Sequence, residues 1–149
     1  MSQLSVVGMF CEDIREEMSG QDMLIGILPD NLDVPTFPGA MPKLGFYVRF
    51  HMDPAVDPGP LALRIRMPDG TERAHAVIDP TVVSKTRADA QASGSPIAGL
   101  ITKTIIAPFR IDGPGRILLI VTQGGAEQVC ALLNVQGSKV KPTPNPASP

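Results

Sequence analysis

The feature that most constrains this fold is a strict alternation of apolar with polar or small residues along residues 43–52. In KLGFYVRFHM, every second side chain from Leu44 onward is apolar. Side chains of a β-strand point alternately to the two faces of a sheet, so this stretch predicts a strand with one buried face. The opposite face carries Tyr47, Arg49 and His51. A chain organised by this pattern is expected to bury its core between layers of strands.

Further strands follow from the same reasoning. Alternation predicts strands over residues 61–67, 72–78 and 101–111, and Pro108 places the last of them at a sheet edge or at a bend because proline lacks a ladder donor. We expect 43–52 and 61–67 to form a hairpin with a wide loop, and Asp69-Gly70 to turn the chain into 72–78. Four more segments are apolar on both faces and need cover on both sides: Leu4–Cys11, Met23–Leu28, Ile117–Val121 and Val129–Val135. The last two are expected to form a hairpin through Gly124-Gly125.

Helix signals are weak. Residues 12–19 have Ile14 and Met18 at helical spacing before Gly20 and predict one or two helical turns at most, and residues 84–92 predict another short turn. The rest of 80–97 is expected to be a long mobile loop. The sequence therefore predicts an all-β protein, a two-layer antiparallel β-sandwich of seven or eight strands, with a closed barrel as the alternative.

The domain organisation is expected to be simple. Residues 1–137 are predicted to form one β-sandwich domain, and residues 138–149 a disordered tail rich in proline. The first residues carry no basic region before an apolar run, and the longest apolar run falls far short of a membrane span. We therefore expect a cytoplasmic protein with no membrane partner.

Two resemblances bear on the family and the fold. The order of Cys11-Glu-Asp-Ile-Arg-Glu-Glu, Leu24–Leu28, Pro35-Thr-Phe-Pro and Pro42-Lys-Leu resembles the start of an uncharacterised bacterial family, a domain of unknown function. The stretch from Phe109 through the glycine turn to Val135 resembles the last hairpin of immunoglobulin-like sandwiches. These resemblances imply an immunoglobulin-like fold and transfer no functional residue.

Composition excludes several classes of function. The formal net charge of −2 and the pI near 5.6 argue against a dedicated nucleic-acid binder. The chain has no Trp and a single Tyr, which weakens a sugar-binding role, and no glycine loop opens a helix to bind phosphate. No catalytic motif, metal ligand set or cofactor motif stands out, so we expect no catalytic residue and no cofactor.

The candidate binding surface is a band of polar side chains on the predicted hairpin. If 43–52 pairs with 61–67, one face carries Tyr47, Arg49, His51, Arg64 and Arg66. Like charges repel at this range, so acids such as Glu72, acids of the 12–17 segment, or a ligand should lie among them. Arginine and tyrosine are enriched at protein interfaces, which makes the band a candidate partner surface.

Two functions follow from these features. The first is a non-enzymatic interaction or assembly module that contacts a protein partner or forms a homo-oligomer. The second is a protein, even an enzyme, that binds a small ligand or a divalent metal through the acidic 12–17 segment with Cys11 or His51. A lesser alternative places an apolar ligand inside the sandwich. Cys11 and Cys130 are expected to be small buried residues, with a disulfide or a reactive or metal-binding thiol as alternatives.

Overall fold

Eleven strands and one helix form the fold in the computed structural model, which describes residues 4–138. The first strands are β1 (Ser5–Glu16), β2 (Asp22–Ile27), β3 (Asn31–Val34), β4 (Gly39–Met41), β5 (Leu44–Met52), β6 (Leu61–Arg66) and β7 (Glu72–Val77). After them come α1 (Pro80–Ser93), β8 (Ala98–Ile106), β9 (Phe109–Ile111), β10 (Gly115–Gln123) and β11 (Ala126–Gly137). The protein is all-β, as the alternation predicts.

The strands form two main sheets and a small ribbon. Sheet A has four antiparallel strands in the order β2-β1-β5-β8, and sheet B has five in the order β3-β11-β10-β6-β7. All pairs of sheet B are antiparallel except β3 with β11. The ribbon pairs β4 with β9.

The core lies between the two sheets. Sheet A contributes the alternating residues Leu44 to Met52 of β5, and sheet B contributes the matching faces of β6 and β10. Leu63 and Leu119, one from each of these strands, are at most 1% exposed. Burying large apolar side chains from both layers stabilises such a sandwich more than any single polar contact.

The hairpin expected between residues 43–52 and 61–67 does not form. β5 pairs with β1 and β8 in sheet A, whereas β6 pairs with β10 and β7 in sheet B. The loop between them carries the chain from one layer to the other. The sequence predicted each strand correctly and their pairing incorrectly, because alternation reports which face is buried and says nothing about the neighbour.

The position of the helix was also predicted incorrectly. Residues 12–16 continue β1, so the helical turns expected over 12–19 are absent. Residues 80–93 form the 14-residue helix α1 instead of a mobile loop. Asp79 caps its N-terminus by accepting a hydrogen bond from the Thr81 backbone N–H, and Gly94 ends it in a left-handed conformation. Pro80 at the first position fits the same start signal, which the sequence reading missed.

Among the predictions for turns and short segments, some are confirmed and others are not. The Asp69-Gly70 turn and the hairpin through Gly124-Gly125 are confirmed. The strand expected over 101–111 breaks at Pro108 into β8 and β9, and β8 is an edge strand. The short strands β3 and β4 were not foreseen. Apart from Ser138, the predicted tail lies outside the described residues, within which no helix is long and apolar enough to span a membrane.

Candidate functional site

The predicted band of polar side chains is divided between opposite sides of the molecule. Tyr47, Arg49 and His51 lie on the outer face of sheet A, because the alternate residues of β5 are in the core. Arg64 and Arg66 lie on the outer face of sheet B, for the same reason in β6. The expectation of a single band was wrong since it depended on the hairpin that does not form.

On the outer face of sheet B, the arginines are held by carboxylates. Arg64 Nη1 donates a hydrogen bond of 2.7 Å to Glu72 Oε1, which confirms the predicted pairing with Glu72. Glu127 on β11 accepts from Arg66 Nη2 at 3.1 Å and lies 3.6 Å from Arg64. The hydrogen bond from Arg64 lowers the pKa of Glu72. Arg64 Nε is buried and has no hydrogen-bond partner among residues 4–138.

This ion-pair network overlies an apolar residue. Ile120 alternates with core residues of β10 and therefore points to the outer face, directly across the ladder from Arg64. It is nevertheless only 1% exposed. The long stems of arginine side chains cover apolar surface while their charged ends stay near water. The ion pairs give the arrangement of the arginines beside Ile120 a structural explanation, while Val77 and Val129 on the same face are 68% and 49% exposed.

The outer face of sheet A carries an arginine without such carboxylate partners among the described residues. Arg49 stands directly between Val7 on β1 and Ile101 on β8, which are 51% and 42% exposed. Ile105, four residues along β8 and opposite Gly45, is 38% exposed. Within residues 4–138, the side chains of Tyr47, Arg49 and His51 have no hydrogen bond or ion pair. This face therefore presents apolar side chains around an arginine that lacks a carboxylate partner in the described chain.

The far end of the β1–β2 hairpin covers part of sheet A. Lys103 on β8 is two strands away from β1, yet its Nζ lies 3.5 Å from Glu16 Oε2 and bonds to Asp22. The hairpin therefore leans across β5. Gly45 permits this approach, since a Cβ there would be 2.9 Å from Cys11 Sγ and 3.3 Å from Ile14 Cδ1. Hydrogen bonding to Asp22 raises the pKa of Lys103.

The acidic 12–17 segment is distributed among ion pairs. Asp13 lies 3.6 Å from both Arg15 and Lys43, and Glu16 contacts Lys103. None of these acids pairs with the arginines of the predicted band. The residues from 4 to 138 contain no group of three or more His, Cys, Asp or Glu side chains placed to hold a metal ion. This finding removes support for a metal site at the segment.

Both cysteines are free, so the alternative of a disulfide was wrong. Cys11 is buried beneath the β1–β2 hairpin, and burial together with the charge of Asp13 raises its pKa. Burial raises the pKa of Cys130 to about 11. Cys130 lies at a bulge of β11 against Gly8, where a Cβ would be 2.8 Å from its Sγ. Raised pKa values leave little thiolate at neutral pH, which does not favour nucleophilic chemistry.

The family of the chain follows from a comparison of its sequence with known families. A profile of the family of unknown function DUF6941 matches residues 6–136. The chain belongs to this family. No curated protein and no solved structure matches it. The predicted resemblance to a domain-of-unknown-function family is confirmed, and membership assigns no activity to any residue of this DUF6941 member.

Two cavities bear on the ligand hypotheses for this family member. An open cavity of about 980 Å³ at one end of the sandwich is lined by His51 and Asp53, together with Ser5 and Gln128. A cavity of about 140 Å³ reaches the core between β7 and β8, beside Phe46. Sites for drug-sized ligands measure about 300–1,000 Å³. The first cavity has the size of a ligand site, whereas the second is too small for a lipid.

The sequence reading missed the exposed isoleucines of β8. Ile101 and Ile105 were expected to share a face with Phe109 and Ile111, but the break at Pro108 leaves only the latter two buried. Threonines 102 and 104 alternate with the exposed isoleucines. A signal was available, because a nine-residue run with one charge and no proline is unusual for a strand at an edge.

Proposed function

We propose that this protein is a non-enzymatic assembly module that associates through the exposed side of sheet A, most simply with a second copy of itself. The observation that carries the proposal is the contrast between the two outer faces. On sheet B the outward arginines are paired with Glu72 and Glu127, whereas on sheet A Arg49 has no carboxylate partner among the described residues and lies between the exposed Val7 and Ile101. Ile105 is exposed farther along the same strand as Ile101, and exposed apolar side chains grouped on one face of a folded domain are typical of interaction sites.

The chemistry of this surface supports contact better than catalysis. Arginine and tyrosine beside aliphatic side chains are typical of the centre of protein interfaces. Arg49 lies among apolar neighbours without a carboxylate in the described chain, so a partner that supplies an acid would be bound more tightly. Two free cysteines are consistent with the cytoplasmic location that the proposal includes.

Sedimentation of the full-length chain tests the proposal. We expect wild-type protein to sediment above the 15.8 kDa of a monomer in the micromolar range, with a mass that rises with concentration. The double variant Ile101→Lys/Ile105→Lys should sediment as a monomer. The matched control is Val77→Lys/Val129→Lys, which places two lysines at positions on sheet B that are somewhat more exposed than Ile101 and Ile105 and should associate like wild type.

The opposite results would count against the proposal. Wild-type protein that stays monomeric at several hundred micromolar would overturn association through this surface. Association that survives the β8 lysines and disappears in the sheet B control would move the interface to the other face. Circular dichroism of each variant establishes that the sandwich is folded before its mass is interpreted.

A small-ligand role is the second candidate, and the 980 Å³ cavity at the end of the sandwich favours it. His51 and Asp53 supply the polar groups, and the apolar lining includes Val56 and Ile97. A nuclear magnetic resonance screen of small polar metabolites tests this role. Shifts that centre on His51 and are lost in His51→Ala would support it, and their absence at millimolar ligand would reject it.

A further inference from the structure

We infer that β8 is the strand through which two copies join, by antiparallel edge-to-edge pairing that continues sheet A into an eight-stranded sheet. This inference rests on the proposed function and assigns the contact to the β8 edge, where Ile101 and Ile105 lie, and not to Val7 and Arg49 on the neighbouring strands. β8 spans nine residues, Ala98–Ile106, and pairs with β5 on one side only. An unprotected edge presents unpaired backbone N–H and C=O groups, which favour pairing with another strand.

In the described part of the chain, the other three edges of the two main sheets carry features that discourage such pairing. β2 contains Gly26 in a left-handed conformation with φ 62°. β3 has only four residues and lies between Pro29 and Pro35. Short strands, flanking prolines and irregular backbone are the usual protections of an edge.

The β7 edge is protected by a bulge and by Arg73. The register of β7 against β6 shifts near Arg73. Arg73 Nη1 donates a hydrogen bond of 2.7 Å to the Arg110 carbonyl on β9, and its guanidinium lies 5.4 Å from the ring centre of Phe109. These contacts hold an arginine at the start of this strand, so a second copy cannot approach there without displacing it.

β8 is flanked by Pro96 and Pro108, but its nine residues contain neither a bulge nor a left-handed residue, and it is more than twice as long as β3. It contains no proline, and its register with β5 is continuous from Leu44↔Ile106 to Met52↔Ala98. Its one charged residue, Lys103, is drawn toward the β1–β2 hairpin by Asp22 and Glu16 and so does not act as an exposed edge charge. Two copies of β8 can therefore approach without bringing unpaired lysines together.

The side-chain pattern restricts the register. Residues that lie directly opposite each other in a sheet point to the same face, and the outward residues of β8 have odd numbers. If the two copies are related by a two-fold axis perpendicular to the sheet, odd-numbered residues must therefore oppose odd-numbered residues. The register centred on Lys103 places Ile101 opposite Ile105 of the second copy, twice. It also places the two copies of Lys103 opposite each other, each paired with Asp22 and Glu16 of its own chain. It buries the exposed isoleucines in cross-strand pairs, which stabilise a sheet. This register also leaves Ala98 and Gly99, the residues next to the α1–β8 connection, outside the paired segment.

Amide hydrogen exchange on the full-length chain tests this inference. Between dilute and concentrated protein, we expect amides within residues 100–106 to slow at least tenfold, while those of the β7 edge, residues 72–77, stay unchanged. A dimer whose β8 amides exchange at the same rate at both concentrations would overturn edge pairing and leave the proposed function standing. A chain that never dimerises would overturn both.

Proline variants provide a second readout that separates the edge from the face. Successive N–H groups of a strand point to opposite sides, so one of Thr104→Pro and Ile105→Pro removes a donor from the free edge and the other removes a donor to β5. The variant that keeps its thermal midpoint near wild type is the edge variant, and it should be monomeric. Val7→Lys, on the sheet A face two strands from the edge, should still dimerise.

The reverse pattern would place the interface on the sheet face. If Val7→Lys is monomeric and the folded proline variant still dimerises, face-to-face packing of sheet A replaces edge pairing. If neither proline variant folds, the hydrogen-exchange comparison on wild-type protein decides the question alone. A β8 peptide added to the full chain should compete with dimer formation only if edge pairing is correct.

Discussion

The outer faces of the two sheets have similar sequence patterns, but their arginines have different neighbours. Both β5 and β6 alternate core residues with outward basic side chains, Arg49 in one and Arg64 with Arg66 in the other. On sheet B, Glu72 and Glu127 lie on the adjacent strand β7 and on β11, and the arginines pair with them. On sheet A, the residues opposite Arg49 are Val7 and Ile101.

The difference shows that the cross-strand neighbour decides what an outward arginine does. With carboxylates nearby, arginines form a layer over apolar surface and complete a monomer's exterior. With aliphatic neighbours, an arginine remains free to pair with an acidic group of a partner, and the apolar side chains beside it remain exposed. The same residue type therefore indicates a structural network on one face and a candidate interface on the other.

The largest expected effect is a difference in stability between alanine substitutions of two outward-facing isoleucines, Ile120 and Ile101. Ile120→Ala removes a side chain that is 1% exposed and should lower the free energy of unfolding by about 2–4 kcal/mol. Ile101→Ala removes one that is 42% exposed and should cost about 1 kcal/mol or less, through lost strand propensity. Urea unfolding at a concentration where both variants are monomeric measures the two values. Equal losses of stability would contradict the burial of Ile120 on the outer face of sheet B.

An intermediate effect is expected for alanine substitutions of two glycines on the outer face of sheet A, which should change the stability of the protein differently. A Cβ at Gly45 would meet Cys11 Sγ at 2.9 Å, so Gly45→Ala should destabilise the protein by about 1–3 kcal/mol through overpacking. A Cβ at Gly99 would have only the His51 ring at 4.0 Å, so Gly99→Ala should be neutral or stabilising by up to about 1 kcal/mol. Thermal unfolding measures both. A harmless Gly45→Ala would mean that the hairpin does not press on sheet A.

The smallest expected effect concerns pH. Arg64 lowers the pKa of Glu72 from its ordinary value of 4.5, so the folded state binds this proton less readily than the unfolded state. The stabilisation is complete above pH 4.5 and is lost as pH falls through the lower folded pKa. Glu72→Gln should therefore be less stable than wild type at pH 7, with a difference that shrinks below pH 4.5.

The matched substitution on the other face is Arg49→Gln. Arg49 has no carboxylate partner in the described chain, so this variant should show the same acid-side dependence of the thermal midpoint as wild type. Melting curves between pH 3 and pH 7 compare the three proteins. Parallel curves for Glu72→Gln and wild type would show that the Arg64–Glu72 pair contributes nothing to folding.

Most strands were predictable because their signal is local. The alternation in residues 43–52 and 61–67 identified β5 and β6, and the glycine turn identified the β10–β11 hairpin. The short strands β3 and β4 escaped prediction because three or four residues carry no measurable period. α1 escaped because its apolar stripe is narrow and its start signal, Asp79-Pro80, was not weighed.

The candidate site was less predictable than the fold. The five polar residues were individually placed on outward faces correctly, and Glu72 was correctly named as a partner of the arginines. Their assembly into one band was wrong, because it required knowledge of which strands are neighbours. From Pro108 the sequence predicted a sheet edge or a bend for residues 101–111, and only strand order shows that β8 is the edge of sheet A.

The amino-acid sequence by itself determined the all-β class, the side chains of β5 and β6 that face the core, and the family to which the chain belongs. These depend on the order of residues within ten or so positions, where a period of two is set by backbone geometry. Only the tertiary structure decided that β5 and β6 belong to different layers, that Arg64 meets Glu127, and that β8 lies at an edge. Such contacts join residues far apart in the chain. Many different strand neighbours are compatible with the same alternation of apolar residues, and only the packing of the whole sandwich selects among them.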